Sequence, residues 1–243
     1  MPSSSSRSES AKSFGYHRIR NHQIAERIIA STGLAPPDLV FEFGPGDGQI
    51  TAALASRCRR VVCIEADRAL WRRLKLRFAE HANVEPVMAD FMAYALPARS
   101  GYKLVSNVPF GLTAELFRRL LALRNPPSEA FLVLQLEAAR KWGGIGHETL
   151  ASVLVKTRFV VEPTLALHRT SFAPRPNVDA TLLRLARRSR PLVSEGEARQ
   201  FESFVRRSFV ERRSFRSLDS APTAATRPSE LTVEDWVRVF RTK

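Results

Sequence analysis

Cysteine is scarce in this sequence, which has only Cys58 and Cys63 among its 243 residues. Two cysteines cannot form a disulfide framework, and without clustered histidines they lack the spacing of a zinc site. Cys63 lies inside an apolar run and is interpreted as a buried strand residue. We therefore predict that both cysteines pack in the core and that the protein holds no metal.

Long apolar segments are also missing, because charged residues interrupt every stretch that approaches the roughly 18–20 residues of a membrane span. Met1–Ser10 is rich in serine and lacks the apolar stretch of a signal peptide. We therefore expect a cytoplasmic protein with no membrane partner, and we interpret residues 1–13 as a disordered tail.

Acidic residues are outnumbered, with 24 Asp and Glu against 38 Lys and Arg and a net charge of +14. Arginine dominates the positive charge, and its guanidinium suits bidentate contacts with phosphate. So basic a chain is typical of proteins that bind polyanions with a strong dependence on salt. A GC-rich genome that favours arginine would produce the same excess, so charge alone leaves nucleic-acid binding open.

Apolar residues alternate between helical and strand-like spacing from residue 21 to about 160. Such alternation predicts an α/β fold with a doubly wound parallel sheet, whose ligand crevice lies at the carboxyl ends of the strands. The predicted helices are Asn21–Thr32, Thr51–Ser56, Arg68–Glu80 and Ala114–Leu123, and the predicted strands are Leu39–Phe43, Val61–Glu65, Val84–Met88, Tyr102–Ser106 and Ala130–Leu136.

The character of the chain changes after Arg184, where Arg187–Pro191 has the composition of a linker. Beyond it, Glu197–Phe209 and Thr232–Phe240 have apolar residues at helical spacing. We therefore interpret residues 14–187 as one domain and residues 188–243 as a small helical domain.

The segment Phe41–Gly48 places Gly44, Gly46 and Gly48 on alternate positions directly after a predicted strand. Glycines there allow a sharp turn and a close approach of the backbone to a ligand. A dinucleotide fingerprint counted from Gly44 would need glycine where Gln49 stands, which weighs against NAD. The pattern favours a nucleoside ligand without a pyrophosphate, although a plain tight turn has the same composition.

Acidic residues follow the next two predicted strands. Glu65, about 20 residues beyond the glycines, is placed to accept hydrogen bonds from two ribose hydroxyls. Asp90 is placed to accept from the amino group of an adenine. Taken singly, an exposed strand-end acid and a helix N-cap are the alternatives for the two residues.

Asn107-Val108-Pro109-Phe110 follows the fourth predicted strand and carries the most specific chemistry. The lone pair of an exocyclic amine is delocalised into its ring, and acceptors for both N–H groups draw the nitrogen toward tetrahedral geometry. The Asn107 side-chain oxygen and a neighbouring main-chain carbonyl would accept these N–H groups, while Pro109 stiffens the loop and Phe110 stacks on the base. The segment therefore predicts methylation of a base amine that has left its stack; a turn with a buried aromatic is the alternative.

As a set, these motifs resemble those of the ribosomal RNA adenine N6-methyltransferases in order and spacing. That family includes the erythromycin-resistance (Erm) enzymes and the small-subunit dimethyladenosine transferases. The matching segments, within residues 14–220, are F-E-F-G-P-G-D-G (Phe41–Gly48), I-E-A-D (Ile64–Asp67), A-D (Ala89–Asp90), N-V-P-F (Asn107–Phe110), the F-x-P-x-P-x-V segment within Ser171–Asp179, and Arg206–Leu218, which resembles the family's basic C-terminal helix region.

The resemblance implies a class I S-adenosylmethionine-dependent methyltransferase, with a Rossmann-like seven-stranded sheet, S-adenosylmethionine as cofactor and ribosomal RNA as partner. It implies that residues 14–187 are catalytic, that the C-terminal helical domain binds RNA, and that the protein acts as a monomer. Asn107, Val108 and Phe110 would face the target adenine as catalytic residues. The implied cofactor contacts are His17, Ile19, Glu42, Gly44, Gly46, Glu65, Asp90 and Asn107.

One element departs from the family pattern. Family members carry G-Q-N-F-L near the start, whereas this chain has Gly15-Tyr16-His17-Arg18-Ile19. A histidine has no amide to offer as paired donor and acceptor, so His17 would instead donate to the methionine carboxylate of the cofactor. Tyr16 and Arg18 are alternative contacts for RNA.

The resemblance favours the Erm branch, which modifies 23S rRNA and blocks the binding of macrolides, lincosamides and streptogramin B. The short C-terminal region and the altered N-terminal element support this choice. The alternatives are a small-subunit rRNA dimethyltransferase acting in ribosome assembly and an RNA-binding relative with weak catalysis.

Overall fold

The computed structural model describes residues 17–99, 101–211 and 227–242. The tail expected over residues 1–13 and the basic residues from Arg212 to Leu218 lie outside these ranges, within which no helix is long and apolar enough to cross a bilayer. The strands are β1 (Arg18–Ile19), β2 (Leu39–Phe43), β3 (Arg60–Glu65), β4 (Val84–Met88), β5 (Tyr102–Asn107), β6 (Glu129–Gln135), β7 (Phe159–Leu167), β8 (Phe172–Ala173) and β9 (Ala180–Arg187). The helices are α1 (His22–Ala30), α2 (Gln49–Ala55), α3 (Arg68–Arg77), α4 (Thr113–Ala122), α5 (Leu136–Gly143), α6 (Leu150–Lys156), α7 (Ala198–Val210) and α8 (Val233–Arg241).

Seven strands form the main sheet in the order β4-β3-β2-β5-β6-β9-β7, which confirms the expected α/β fold class. Strands β2 to β6 run parallel. Strand β9 is antiparallel to β7, since Thr164 Oγ1 donates to Leu182 O while Thr181 Oγ1 donates to Leu165 O. The sheet is therefore mixed rather than wholly parallel, because the short connection between β7 and β9 contains no crossover helix.

The middle of the sheet is buried on both faces. Every residue of β2 after Leu39 and every residue of β3 after Arg60 is buried, as expected for parallel strands covered on both sides. The strand order reverses between β2 and β5, so the loops that follow these two strands diverge. This divergence opens a crevice at the carboxyl ends of the strands.

The chain divides into two compact units. In the second unit, α7 and α8 pack around the fully buried Trp236, with the rings of Phe204 and Phe209 centred 5.9 and 5.5 Å from it. The domain boundary expected near residue 188 stays a prediction. The first unit comprises the chain up to Leu136 with Pro163–Leu185, and the second comprises Glu137–Glu162 with the chain from Ala186 onward.

Each edge strand of the main sheet contains a proline, Pro86 in β4 and Pro163 in β7. Proline has no main-chain N–H to donate, which is why sheets tolerate it at their edges and not in their middle. The Pro86 carbonyl accepts from Trp71 Nε1 at 3.1 Å, so helix α3 is fixed against its edge of the sheet.

Candidate active site

The glycine-rich turn joins β2 to α2. Gly44, Gly46 and Gly48 all have positive φ angles, of 59°, 58° and 76°, in a backbone region that favours glycine. A Cβ at Gly48 would lie 2.8 Å from the ring of Phe78. The Gly44 N–H donates to Ile64 O at 3.0 Å, which fixes the turn to β3. The turn thus depends on glycine for its conformation and, at Gly48, also for space.

Glu65 ends β3 with its side chain almost fully buried, at 7% exposure. Its Oε1 accepts from Asp67 N at 2.9 Å, and its Oε2 accepts from Gly46 N at 3.3 Å. Burial raises the pKa of the Glu65 carboxyl, while the two main-chain N–H groups favour the charged form and oppose that rise. Each oxygen keeps a further lone pair, so the carboxylate is equipped to accept from two ligand hydroxyls.

Glu42 lies in the core next to the turn and is 1% exposed. It accepts from Thr51 Oγ1 at 2.7 Å and from Cys63 Sγ at 3.7 Å. Burial raises the pKa of the Glu42 carboxyl to about 7. These contacts join α2 to the two neighbouring strands, so the side chain braces the turn from inside the core.

A cavity of about 720 Å³ lies at the carboxyl ends of β2 to β5, within the range of about 300–1,000 Å³ usual for small-molecule sites. A second cavity of about 20 Å³ shares Gly44 with it. The larger cavity is lined by Gly44, Glu65, Asp90 and Val108 of the sequence-predicted residues, and by the apolar Phe43, Ile64, Phe91, Pro109, Leu112 and Leu116. The smaller is lined by Ile19, Glu42, Gly44 and Asn107 of those residues, whereas His17, Gly46 and Phe110 lie outside both linings.

Asp90 is exposed at the rim of the large cavity. Its Oδ1 accepts from Met92 N at 2.8 Å, which orders the turn after β4. Arg119 braces the same turn, because its guanidinium lies 4.5 Å from the centre of the Phe91 ring and donates to Tyr94 O. Sequence reasoning identified Asp90 but missed Arg119, whose contacts come from a separate helix.

Asn107 is the last residue of β5 and emerges between β2 and β6 at the strand-order reversal. The adjoining backbone is fixed, since Ser106 Oγ donates to Phe43 O at 3.0 Å and Val108 N donates to Val133 O at 3.2 Å. The Asn107 Nδ2 donates to the His17 carbonyl at 2.7 Å. Within the described residues its Oδ1 has no hydrogen-bond partner, so the side-chain oxygen remains an available acceptor.

His17 is tied to three parts of the first unit. Its carbonyl accepts a hydrogen bond from Asn107 Nδ2, and the centre of its ring lies 4.8 Å from that of the Phe110 ring, with 36° between the ring planes. Its Nδ1 is 2.7 Å from Pro174 O. A carbonyl only accepts, so Nδ1 carries the hydrogen in this contact. The sequence identified His17 as a cofactor contact but not these partners, because they lie 90 or more residues away along the chain.

The residues at the large cavity fit a nucleoside ligand. A buried carboxylate is available for hydroxyl groups, and apolar side chains are available for a flat ring. Asn107, which lines the smaller cavity and precedes Val108 of the larger one, offers an amide oxygen. No group of three or more His, Cys, Asp or Glu side chains in the described part of the chain is arranged to hold a metal ion.

Comparison with known proteins gives the chain a family. The family model described as ribosomal RNA adenine dimethylase matches residues 7–222. An rRNA adenine N-6-methyltransferase of Saccharopolyspora erythraea is 32% identical over 96% of this chain, which spans only 65% of that relative's length. A ribosomal RNA small subunit methyltransferase A of Synechococcus sp. is 30% identical, with 93% of this chain and 90% of the relative covered.

The fold has a close counterpart among solved structures. The crystal structure of the 23S rRNA methyltransferase ErmE matches with a TM-score of 0.79 and 30% identity, covering 92% of this chain and 98% of that one. Together these matches bear out the methyltransferase fold.

Proposed function

The chain belongs to the ribosomal RNA adenine dimethylase family, and from that membership we propose that it uses S-adenosylmethionine to methylate the N6 amine of an adenine in 23S ribosomal RNA. The observation that carries the proposal is the placement of Asn107 and Val108. Asn107 lines the small cavity and Val108 lines the large one, so a base amine at this loop would lie next to both cavities.

The proposed role of Asn107 is to accept an N–H of the target amine through Oδ1, with a loop carbonyl accepting the other N–H. Two acceptors on one amine draw its lone pair out of the ring. When bound, S-adenosylmethionine would supply an electrophilic methyl group on its sulfonium and would be left as S-adenosylhomocysteine, and the cationic methylated amine would lose its proton to water. Phe110 would stack on the base, held in place by the His17 ring at 4.8 Å.

The proposed cofactor contacts follow the two cavities. Glu65 would accept from the ribose hydroxyls, and Asp90 would accept from the adenine amino group at the rim. The methionine end would lie by the small cavity, whose lining includes Ile19, Glu42, Gly44 and Asn107, with Gly46 beside them. His17 lines neither cavity, so we assign it to orienting Asn107 and Phe110.

The 23S choice is supported by the likeness to ErmE over nearly its whole length and by the relative from Saccharopolyspora erythraea. On this proposal the protein confers resistance to macrolides, lincosamides and streptogramin B. The small-subunit alternative is supported by the relative from Synechococcus sp.. The second unit would bind RNA, supported by Arg199 and Arg207, which are exposed on α7.

Transfer of labelled methyl groups into purified ribosomal RNA separates the two substrates. We expect label in 23S RNA, mapped to an adenine by a primer-extension stop, and raised erythromycin tolerance in a sensitive host that expresses the protein. Label confined to 16S RNA would replace the proposal by the small-subunit alternative. No label in either RNA, with cofactor binding intact, would indicate a relative that binds RNA without catalysis.

A further inference from the structure

Helix α3 carries an unusual concentration of positive charge. Five of its ten residues are Arg or Lys, and none is acidic. Its exposed face contains the four cations Arg68, Arg72, Arg73 and Lys75, which we call the α3 basic face. The fifth cation, Arg77, donates to Asp47 O and so braces the glycine-rich turn.

This arrangement costs the isolated helix stability. Arg68 and Arg72 stand four residues apart, as do Arg73 and Arg77, and like charges at that spacing repel by about 0.2–0.5 kcal/mol per pair. Arg68 also begins the helix, where the macrodipole disfavours a cation. In the described part of the chain, none of the four cations of the basic face forms an ion pair with an acidic side chain. A polyanion laid along the helix would remove this repulsion.

Aromatic and apolar groups lie among these cations. The Lys75 Nζ is 5.1 Å from the centre of the Trp71 ring, which is half-buried against β4. Leu76 is 80% exposed on the same helix. Cations interleaved with an aromatic ring and an exposed apolar side chain match the needs of a nucleic-acid strand, which presents phosphates, sugars and bases together.

The α3 basic face starts at the rim of the large cavity. Arg68 lines that cavity together with Val108 and Pro109 of the loop proposed to hold the target base. From Arg68 to Lys75 the helix extends about 10 Å, at 1.5 Å per residue. A strand whose base has entered the site therefore has a row of phosphate partners immediately outside it.

We propose that the α3 basic face binds the phosphate backbone of the substrate RNA next to the target adenine. The inference rests on the proposed RNA substrate but is independent of which ribosomal subunit supplies it. It adds a contact surface on the unit that holds the active site, separate from α7 and α8.

The test is a triple variant, Arg72→Gln/Arg73→Gln/Lys75→Gln, which leaves Arg68 in place at the cavity. RNA affinity is measured by filter binding at several salt concentrations, using whichever ribosomal RNA the unmodified protein methylates or, if neither accepts methyl groups, both. We expect roughly tenfold weaker binding at 100 mM salt. The slope of log affinity against log salt concentration should flatten by about 2–3. This is the sum of three lost phosphate contacts, each worth about 0.7 on single strands or 0.9 on duplexes. The affinity for S-adenosylhomocysteine should stay unchanged, which reports an intact fold.

The matched control is Arg27→Gln/Arg59→Gln/Arg124→Gln, which removes the same charge from exposed positions in α1, just before β3 and in the loop between α4 and β6. The proposal holds if the control binds RNA like the unmodified protein. It fails if both triple variants lose affinity equally, or if the α3 variant keeps the original slope. It also fails if the α3 variant binds RNA normally but polyglutamate, added as a competitor, no longer displaces the RNA from it. That result would assign the face to an acidic protein. If the unmodified protein does not methylate RNA but the α3 variant shows the flattened salt slope, the proposed function is refuted and the RNA-binding role of the α3 basic face is not.

Discussion

Asn107 is oriented by a residue outside its own strand. Its amide nitrogen is engaged by the His17 carbonyl, which directs the oxygen to the other side. The sequence motif predicted the residue and its chemistry, because the order and spacing of the motifs are specific. Its orientation could not be predicted, because the His17 carbonyl is a main-chain group brought there by the pairing of β1 with β8.

Replacing Asn107 by aspartate tests that orientation. The carboxylate keeps an acceptor for the amine but turns a second oxygen toward the His17 carbonyl, where two acceptors repel. We expect the rate constant of methyl transfer to fall by at least about 100-fold, the scale seen when one oriented polar group is lost from a site. The measurement is single-turnover methyl transfer, with RNA and S-adenosylhomocysteine affinities as controls.

Asn107→Ala is the companion variant. It removes both the donor and the acceptor without adding charge, and should lose activity to a similar degree while still binding RNA. Full activity in the alanine variant would contradict the role assigned to the side-chain oxygen.

Glu42 should make stability depend on pH. Its folded pKa, raised by burial to about 7, exceeds the value of about 4.3 in an unfolded chain. Between these values the unfolded chain loses this proton while the folded protein keeps it, so stability falls as pH rises from about 4.5 to 7 and then levels. The loss over the whole interval amounts to about 3–4 kcal/mol.

Urea unfolding at pH 5 and pH 7.5 measures this effect in the unmodified protein and in Glu42→Gln. Glutamine still accepts from Thr51 but does not titrate, so the difference between the two pH values should shrink by about 2 kcal/mol, because at pH 5 the unfolded carboxyl is already mostly ionised. An unchanged difference would show that other groups control the pH dependence.

At the scale of elements, the strands that form the site were predictable almost to the residue. Strands β2 and β4 coincide with the apolar runs that predicted them, and β3 and β5 each gain one residue. The runs of β2, β3 and β5 are short, largely buried and bounded by Gly or an acid, whereas β4 is an edge strand with Glu85 and Met88 exposed. Strand β7 was missed because Glu162, Pro163 and Thr164 interrupt its pattern at a sheet edge, and α5 was missed because it follows β6 without a turn.

The turn between β2 and α2 is predicted to be sensitive to a single methyl group. Gly48→Ala adds a Cβ 2.8 Å from Phe78 and 2.9 Å from Leu74, in a backbone conformation with φ of 76°. Strain and overpacking should together cost about 2–5 kcal/mol of unfolding free energy.

Gly33→Ala is the matched control for that variant. Gly33 has a similar φ of 68°, but nothing lies within 4 Å of its added Cβ. It should cost only the backbone strain, about 1–2 kcal/mol. Chemical denaturation compares the two, and equal losses would mean that the clash at Gly48 is relieved without cost.

At the scale of the whole molecule, the net charge of +14 is typical of a protein with a polyanionic partner, but alone it decides neither whether the chain binds one nor where. The described residues show which cations are already engaged. On α7, Arg206 pairs with Glu202 at 2.8 Å, whereas Arg207 is exposed and pairs with no acid in the ranges the structure covers.

Arg207→Gln should therefore weaken RNA binding more than Arg206→Gln, since phosphate must compete with Glu202 for Arg206. We expect the salt slope to flatten by about 0.7–0.9 for the first and by less for the second. Titrations of labelled RNA at 50–300 mM salt compare them, and identical slopes would contradict the distinction. Arg212 and Arg213 follow in the same basic segment of the sequence, but they lie outside the described ranges.

The prolines at the two sheet edges bear on how the protein behaves at high concentration. An exposed edge strand is a template on which another chain can add a strand, which is a common route to aggregation. Pro86 and Pro163 each withhold a donor from such an added strand, and Trp71 already occupies the carbonyl of Pro86. The sheet that carries the proposed active site is therefore protected against growing by strand addition between copies, and crowding is the condition under which that protection matters most.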